Sequence, residues 1–355
     1  MANAQRSRYS IAVDTMGGDR GAAEVVRGVA LALKEFKDID EIILVGPKRM
    51  LEQMLKKVDL NKDRRLTIHH ASQVVEMSEK PIQALKQKKD SSLVRSIELV
   101  KEGRAGAVVS LGNTGALMAG ATLKLRPVKG IERPALATVI PSHKHHFLLI
   151  DAGANPETTG LQLAHNAILG NIYYKSILPN KNPRIGLLTI GSEEGKGTER
   201  IATAHEHLKK ISHKINYIGP IEGFDTFKNV ADVVVTDGFT GNCVLKSLES
   251  CFTTLSGFLK KELGATPFRQ LGAVLSKGAF TAMKDQLSPE HYSGAPLLGI
   301  NGLVLKTHGS SNRKFIRSAI RIANEGLRDD LTKKIQKGIA EGNAIVEESE
   351  APAKA

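Results

Sequence analysis

The 355-residue chain has no tryptophan, and aromatic side chains make up only 4% of it. It also has no arginine-rich tract and no RNA-binding aromatic motif, so the stacking surfaces on which proteins hold nucleic acid are missing. Cysteine is equally scarce. The two cysteines, Cys243 and Cys251, stand eight apart in a helical stretch, near one face but too far apart to bond, and point to a reducing compartment. The opening residues Met1–Arg8 lack the apolar segment of a secretory signal, and no apolar run approaches transmembrane length. The expectation is a soluble, cytoplasmic protein. Negative charge is also short: the formal net charge is +13. That excess suits an acidic partner protein or an anionic membrane surface better than nucleic acid.

Glycine is plentiful, and its placement is informative. Apolar β-type runs repeatedly end in a glycine-polar corner: Val13–Asp19 (VDTMGGD), Ser110–Gly115 (SLGNTG), Asp151–Asn155 (DAGAN), Gly191–Gly197 (GSEEGKG), Asp237–Asn242 (DGFTGN) and His308–Ser311 (HGSS). Most are followed by helical periodicity, so they read as βα turns of a parallel sheet. In open α/β sheets ligands bind beyond the carboxyl ends of the strands. Glycine lets backbone N–H groups approach an anion, and the following helix N-termini add partial positive charge. The corners are expected to converge on one rim and hold a phosphate-type group.

In chain order, strands are expected at Tyr9–Asp14, Glu41–Gly46, Leu66–His70, Ala107–Ser110 and Val304–Thr307. Helices are expected at Ala22–Phe36, Ala84–Glu102, Asn113–Leu125 and Ser311–Ile339. Leu136–Pro141 and Phe147–Asp151 flank His143–His146 and read as a hairpin inserted into the α/β alternation. Residues 157–237 resume helix and strand, and Gly241–Asp285 is a long helical region. Residues 1–345 read as one large α/β domain, and 346–355 as a disordered tail.

Several patterns are weighed and set aside. Gly191–Thr198 is one residue short of a P-loop and carries two glutamates where a phosphate cradle avoids them. Lys196, between two glycines, still suits a phosphate as a point charge. The glycines after Asp14 fall at 17, 18 and 21, which is not dinucleotide-binding spacing, and Asp14 reads equally as a helix cap. His143, His145 and His146 read as surface residues rather than metal ligands, because no cysteine or acidic ligand is near. His205 and His207 face different sides of a helix. His308, at a strand end, suits phosphate binding or proton transfer. Cys243 reads as a helix-core residue rather than an acyl-carrying nucleophile. Two apolar stripes, one containing Leu248, Phe252, Leu255 and Leu259, the other Phe268, Leu271, Val274 and Leu275, are interleaved with Lys260, Lys261, Arg269 and Lys277. They fit a dimer interface or an amphipathic tip on anionic lipid.

Taken together and in this order, Ile11–Asp19, Ser110–Ala116, Arg133–Ala137, Leu149–Asn155, Gly186–Gly197, Gly238–Lys246, Tyr292–Gly299 and Lys306–Ser311 resemble the phosphate acyltransferase family. The resemblance spans about residues 9–325. Thr15 stands where the family commonly has Ala, and Ser293 where Gly is usual. It implies a homodimer with a three-layer α/β/α sandwich and a mostly parallel sheet, related to isocitrate-dehydrogenase-like and phosphotransacetylase folds, with a protruding α-hairpin. It implies transfer of a fatty acyl group from acyl carrier protein to inorganic phosphate, with no cofactor and no metal. The acyl phosphate would pass to a membrane glycerol-3-phosphate acyltransferase for phospholipid synthesis.

Bound phosphate is then expected to attack the thioester directly. Lys196, with the backbone of Gly191, Gly195, Gly197, Gly309, Ser310 and Ser311, is expected to hold the phosphate. Asn113 or Asn242 would stabilise the oxyanion, and Asp14, Asp19 or His308 would orient the nucleophile. Gly17, Gly18, Thr114, Asp151, Asn155 and Asp237 complete the binding corners. Phe258, Leu259, Phe268 and Leu271 mark the membrane tip, around the break at Gly264–Pro267. A coenzyme A-dependent phosphate acyltransferase and a non-catalytic scaffold for lipid-synthesis enzymes are the alternatives.

Overall fold

The computed structural model describes residues 8–142, 146–178, 180–191, 196–287 and 294–350. Strand β1 (Ser10–Asp14) is followed by α1 (Ala22–Glu35), β2 (Glu41–Gly46), α2 (Lys48–Lys57) and β3 (Leu66–His70). Helices α3 (Pro81–Gln87) and α4 (Ser92–Lys101) precede β4 (Ala107–Ser110), and α5 (Thr114–Leu125) leads to the hairpin of β5 (Ala135–Pro141) and β6 (His146–Ile150). Next come α6 (Gly160–Ile177), β7 (Arg184–Thr189), α7 (Glu199–Lys210), β8 (Asn216–Glu222) and β9 (Val233–Val235). A helical arm of α8 (Gly238–Gly264), α9 (Pro267–Leu275) and α10 (Lys277–Leu287) then leaves the sheet. The chain closes with β10 (Ala295–Leu298), β11 (Leu303–Lys306), α11 (Arg313–Arg328) and α12 (Leu331–Glu350).

The strands form one eleven-stranded sheet in the order β3-β2-β1-β4-β11-β10-β5-β6-β9-β7-β8. Strand residues alternate between its two faces, as a pleated backbone requires. Ile11 and Val13 enter one core with residues of α1, α2, α6, α7, α11 and α12, whereas Ala12 faces α3, α4 and α5. Val244, Leu245 and Leu248 of α8 cover the β5–β6–β9 part of that second face. The result is the expected α/β/α sandwich. No helix among the described residues is long and apolar enough to cross a membrane.

Strand direction decides where the corners go. β1, β2, β3, β4 and β11 run parallel, but β10 is antiparallel to both β11 and β5, and β5 is antiparallel to β6. β6, β9, β7 and β8 are parallel to one another and so run against the first group. The expected single rim is therefore two. The corners after β1, β4 and β11 open at one edge, and those after β6, β7 and β9 at the other.

Three local expectations are corrected. Ala84–Glu102 is two helices: Ser91 caps α4 through Val94 N, and Asp90 accepts Ser72 N, Ser72 Oγ and Arg95 Nε, pinning the break. Those bonds, Ser72 first, pull the Asp90 carboxyl down to about 2. The closing helix likewise breaks at Asp329–Asp330, where Asp330 takes a positive φ of 52°. Helix α12 runs to Glu350 with Val346 buried, through part of the expected tail, while 351–355 lie outside the described residues. Strand β10 had no sequence signal, because APLL is short and begins with a proline-containing pair.

Candidate active site

Helix α8 crosses the second face of the sheet beside β5 and leaves a cavity of about 1340 Å³. Its floor includes Leu136, Thr138 and Ile140 of β5, and its wall Leu245, Leu248 and Phe252 of α8. Leu259, Leu263 and Phe280 extend it into the arm. Most of this lining is apolar; Thr114, Asn242, Lys246, Lys306, Thr307 and His308 stand at the sheet end, and Glu249, Thr253, Ser256, Lys260 and Gln270 stand along the arm.

Lys306 ends the otherwise apolar strand β11 and is only 9% exposed. Its Nζ donates to Leu111 O at 3.3 Å and to Thr307 O. Burial pulls its pKa from the usual 10.5 down to about 8, with Asp14 and Asp19 opposing that shift and Lys246 adding to it. The Thr307 hydroxyl, buried at the cavity wall, has no hydrogen-bond partner, nor does the Ser311 hydroxyl in the same corner. An ammonium near neutrality and orphan hydroxyls suit an anion that the cavity would receive.

Asp14 is buried behind this end. Ser92 Oγ donates to its Oδ1 at 2.6 Å and Ser110 Oγ to its Oδ2 at 2.7 Å, with Met16 N on Oδ1 at 3.2 Å. Asp14 therefore ties β1, α4 and β4 together and supplies negative charge near Lys306. A Cβ on Gly17 would lie 2.4 Å from Gly112 Cα, so these two glycines let the β1 and β4 corners touch. Asp19 N donates to Gly309 O at 2.9 Å, and a Cβ on Gly309 would meet the Asp19 carboxylate. His308 Nδ1 lies 2.8 Å from Ser310 Oγ and accepts Ser310 N at 3.2 Å. Gly17, Gly18, Asp19, Thr114, His308, Gly309, Ser310 and Ser311 thus belong to one edge, with Lys306 at its centre.

Other sequence candidates have different work. Asn113 is a clamp rather than an oxyanion donor: its Oδ1 accepts Ala116 N, and its Nδ2 donates to the carbonyls of Glu76, Met77 and Glu79. Replacing it with alanine is expected to cost about 1–3 kcal/mol in urea unfolding, because a helix cap and three bonds to the 76–79 turn go together. An unchanged unfolding midpoint would contradict this. Asp151 is not a substrate ligand either. Its carboxylate accepts the N–H groups of Leu136, Gly153, Ala154 and Asn155, and the Asn155 side chain joins it to Pro134 O. Burial, the largest influence, raises its pKa. Asp237 caps α8 through Thr240 N and pairs with Arg200 at 3.3 Å.

On this second edge Asn242 faces the cavity, next to Gly153. Lys196 is exposed on the β7–α7 connection with Gly191 and Gly197, and is not among the described residues lining the cavity. Strand reversal separates it from the β11 corner. Gly195 lies outside the described residues, as do His143 and His145. Cys243, expected in a helix core, is exposed, because the outer part of α8 has no covering layer. The site residue missed from sequence is Lys306; its signal was a lysine closing an apolar strand, one residue before HGSS.

A family model described as fatty acid synthesis protein matches residues 9–334. A phosphate acyltransferase of Desulfitobacterium hafniense is 43% identical over 338 residues, covering 95% of this chain and 99% of the relative. One from Thermoanaerobacter pseudethanolicus is 42% identical, covering 93% and 97%. Among solved structures, a phosphotransacetylase from Streptococcus pyogenes has a TM-score of 0.59 at 16% identity, covering 90% of this chain and 94% of its own. A branched-chain phosphotransacylase from Enterococcus faecalis has a TM-score of 0.52 at 17% identity, covering 90% and 98%. Those two likenesses establish the fold, and the full-length sequence matches establish the rest: the chain is an acyltransferase that belongs to the phosphate acyltransferase family.

Proposed function

We propose that the protein transfers a fatty acyl group from acyl carrier protein to inorganic phosphate, and that the acyl phosphate serves phospholipid synthesis. The observation that carries this reading is the long apolar cavity ending at the buried Lys306 and the orphan Thr307 hydroxyl. An acyl chain fits the apolar part, and phosphate fits the cationic end. A phosphate oxygen bonds to the thioester carbonyl carbon and the carbon–sulfur bond breaks. The departing sulfur takes up a proton, which the Lys306 ammonium can deliver. Asn242, which also lines the cavity, would bind the oxyanion. Lys196 stands on the edge that carries Asn242 and would add positive field there. The net charge of +13 favours the acidic carrier as donor.

Purified protein, acyl-carrier thioester and phosphate should release free carrier together with a hydroxylamine-trappable acyl phosphate. Equal release without phosphate would make the protein a thioesterase. Faster turnover with a coenzyme A thioester would place it with the coenzyme A-dependent enzymes.

The arm supports two associations under the same proposal. Phe258, Leu259, Phe268 and Leu271 are all exposed, beside Lys260, Lys261 and Arg269. An arm this apolar serves a homodimer, and its basic outer end serves an anionic membrane close to a glycerol-3-phosphate acyltransferase. Phe258→Glu with Phe268→Glu, neither of which lines the cavity, should abolish sedimentation with anionic liposomes while soluble acyl-phosphate formation persists. Dissociation to monomers with liposome binding intact would assign those residues to the dimer interface alone.

A further inference from the structure

A second cavity, of about 350 Å³, lies on the opposite face of the sheet from the candidate active site, between α6, α12 and the α7–β8 connection. Its depth is apolar: Ile168 and Ile172 from α6, Ile211 and Ile215 from the connection. Gly338 and Gly342 let α12 settle on this floor, since a Cβ at either would lie 2.5 Å from an isoleucine Cδ1 of α6. Its mouth is cationic, with Lys175, Lys214, Lys334 and Lys337, against the single lining carboxylate of Glu341. Glu341 is 3.9 Å from both Lys214 and Lys337, and Lys334 pairs with Asp329 just outside the lining.

Two groups in this cavity are left over. Asn171 is only 6% exposed, lines the cavity, and its Oδ1 has no hydrogen-bond partner. Lys175 is half-buried and has no carboxylate partner among the described residues; burial alone depresses its pKa. Both cost free energy unless something occupies the space between them. The combination differs from a solvated basic surface, because its charges surround a concave apolar floor. We infer that this cavity binds a small anionic amphiphile: an alkyl chain on the isoleucine floor, with a carboxylate or phosphate head between Lys175, Lys214 and Lys337, and a head-group hydroxyl or bound water on Asn171. It is a second site, independent of the reaction assigned to the first.

The absence of tryptophan provides the test. His213 is exposed and adjoins Lys214, so His213→Trp places the sole indole at the cavity mouth. Decyl phosphate or decanoate, below micellar concentrations, should give a saturable emission change. Lys306→Met should leave it unaltered, and Lys214→Glu with Lys337→Glu should weaken it about tenfold or more. Response to one head group only would identify that head group. No saturable change, or one indifferent to the charge reversals, overturns the proposal. Inorganic phosphate saturating as tightly as decyl phosphate also overturns it, since the alkyl floor would then contribute nothing. Equilibrium dialysis provides an independent count: the charge reversals should remove one bound decyl phosphate per chain, and an unchanged count rejects the site.

Discussion

Lys306→Met is expected to lower kcat/KM by about a hundredfold or more while leaving the folded protein no less stable. The loss follows from removing the buried cation at the polar end of the cavity. The preserved stability follows from the same burial. With its pKa lowered from 10.5 to about 8, Lys306 is charged at neutral pH against its desolvation. A depressed lysine destabilises fully below its folded pKa. Between about 8 and 10.5 the unfolded chain holds a proton that the folded chain has released, so stability at this site rises with pH across that window. The whole effect is bounded at about 3 kcal/mol, and the carbonyls of Leu111 and Thr307 give part of it back when the ammonium goes. Steady-state kinetics and urea unfolding at pH 7 separate the two quantities. In the parent protein kcat/KM should fall above about pH 8, as the ammonium needed by phosphate and by the departing sulfur is lost. Lys306→Arg should flatten that fall, because arginine stays charged. Near-parental kinetics for Lys306→Met would remove this residue from the site.

Gly241→Ala is expected to lose about 3 kcal/mol or more of stability, beyond the ordinary range for an alanine on a helix. The new Cβ would fall 1.9 Å from Asp151 O and 3.1 Å from Thr236 Cγ2. That carbonyl has little room to move. The Asp151 carboxylate is held by four backbone N–H groups, and Asp151 N donates to Thr236 O at 3.0 Å. The start of α8 must therefore shift, and with it Asn242 and the cavity wall, so activity should fall as well. Gly257→Ala, in the same helix with nothing within 4 Å, is the control and should be neutral or stabilising by about 0.5–1 kcal/mol. Equal unfolding midpoints for the two variants would show that α8 tilts freely at its base.

How much of this could be read from the chain depended on the range of the interaction. β2, β3 and β4 were found at their observed bounds, because each is a short β-type run ended by turn residues. Asp90, which pins the break in the basic helix, acts through Ser72 and Arg95, and no periodicity reveals a partner 18 residues away. The β5–β6 hairpin was legible as two apolar runs around a polar turn. Its consequence was not: the antiparallel pairings of β10, β5 and β6 turn β6, β7, β8 and β9 against β1, β2, β3, β4 and β11.

The sequence alone determined the α/β class, the glycine corners, and, through motif order, the family, because each rests on local residue pattern. Only the tertiary structure decided which corners share an edge, since strand direction is set by pairing across distant segments. It alone turned Asn113 and Asp151 from candidate ligands into clamps, because a side chain's role depends on which backbone groups surround it. It alone singled out Lys306, because desolvation is a property of the packed cavity.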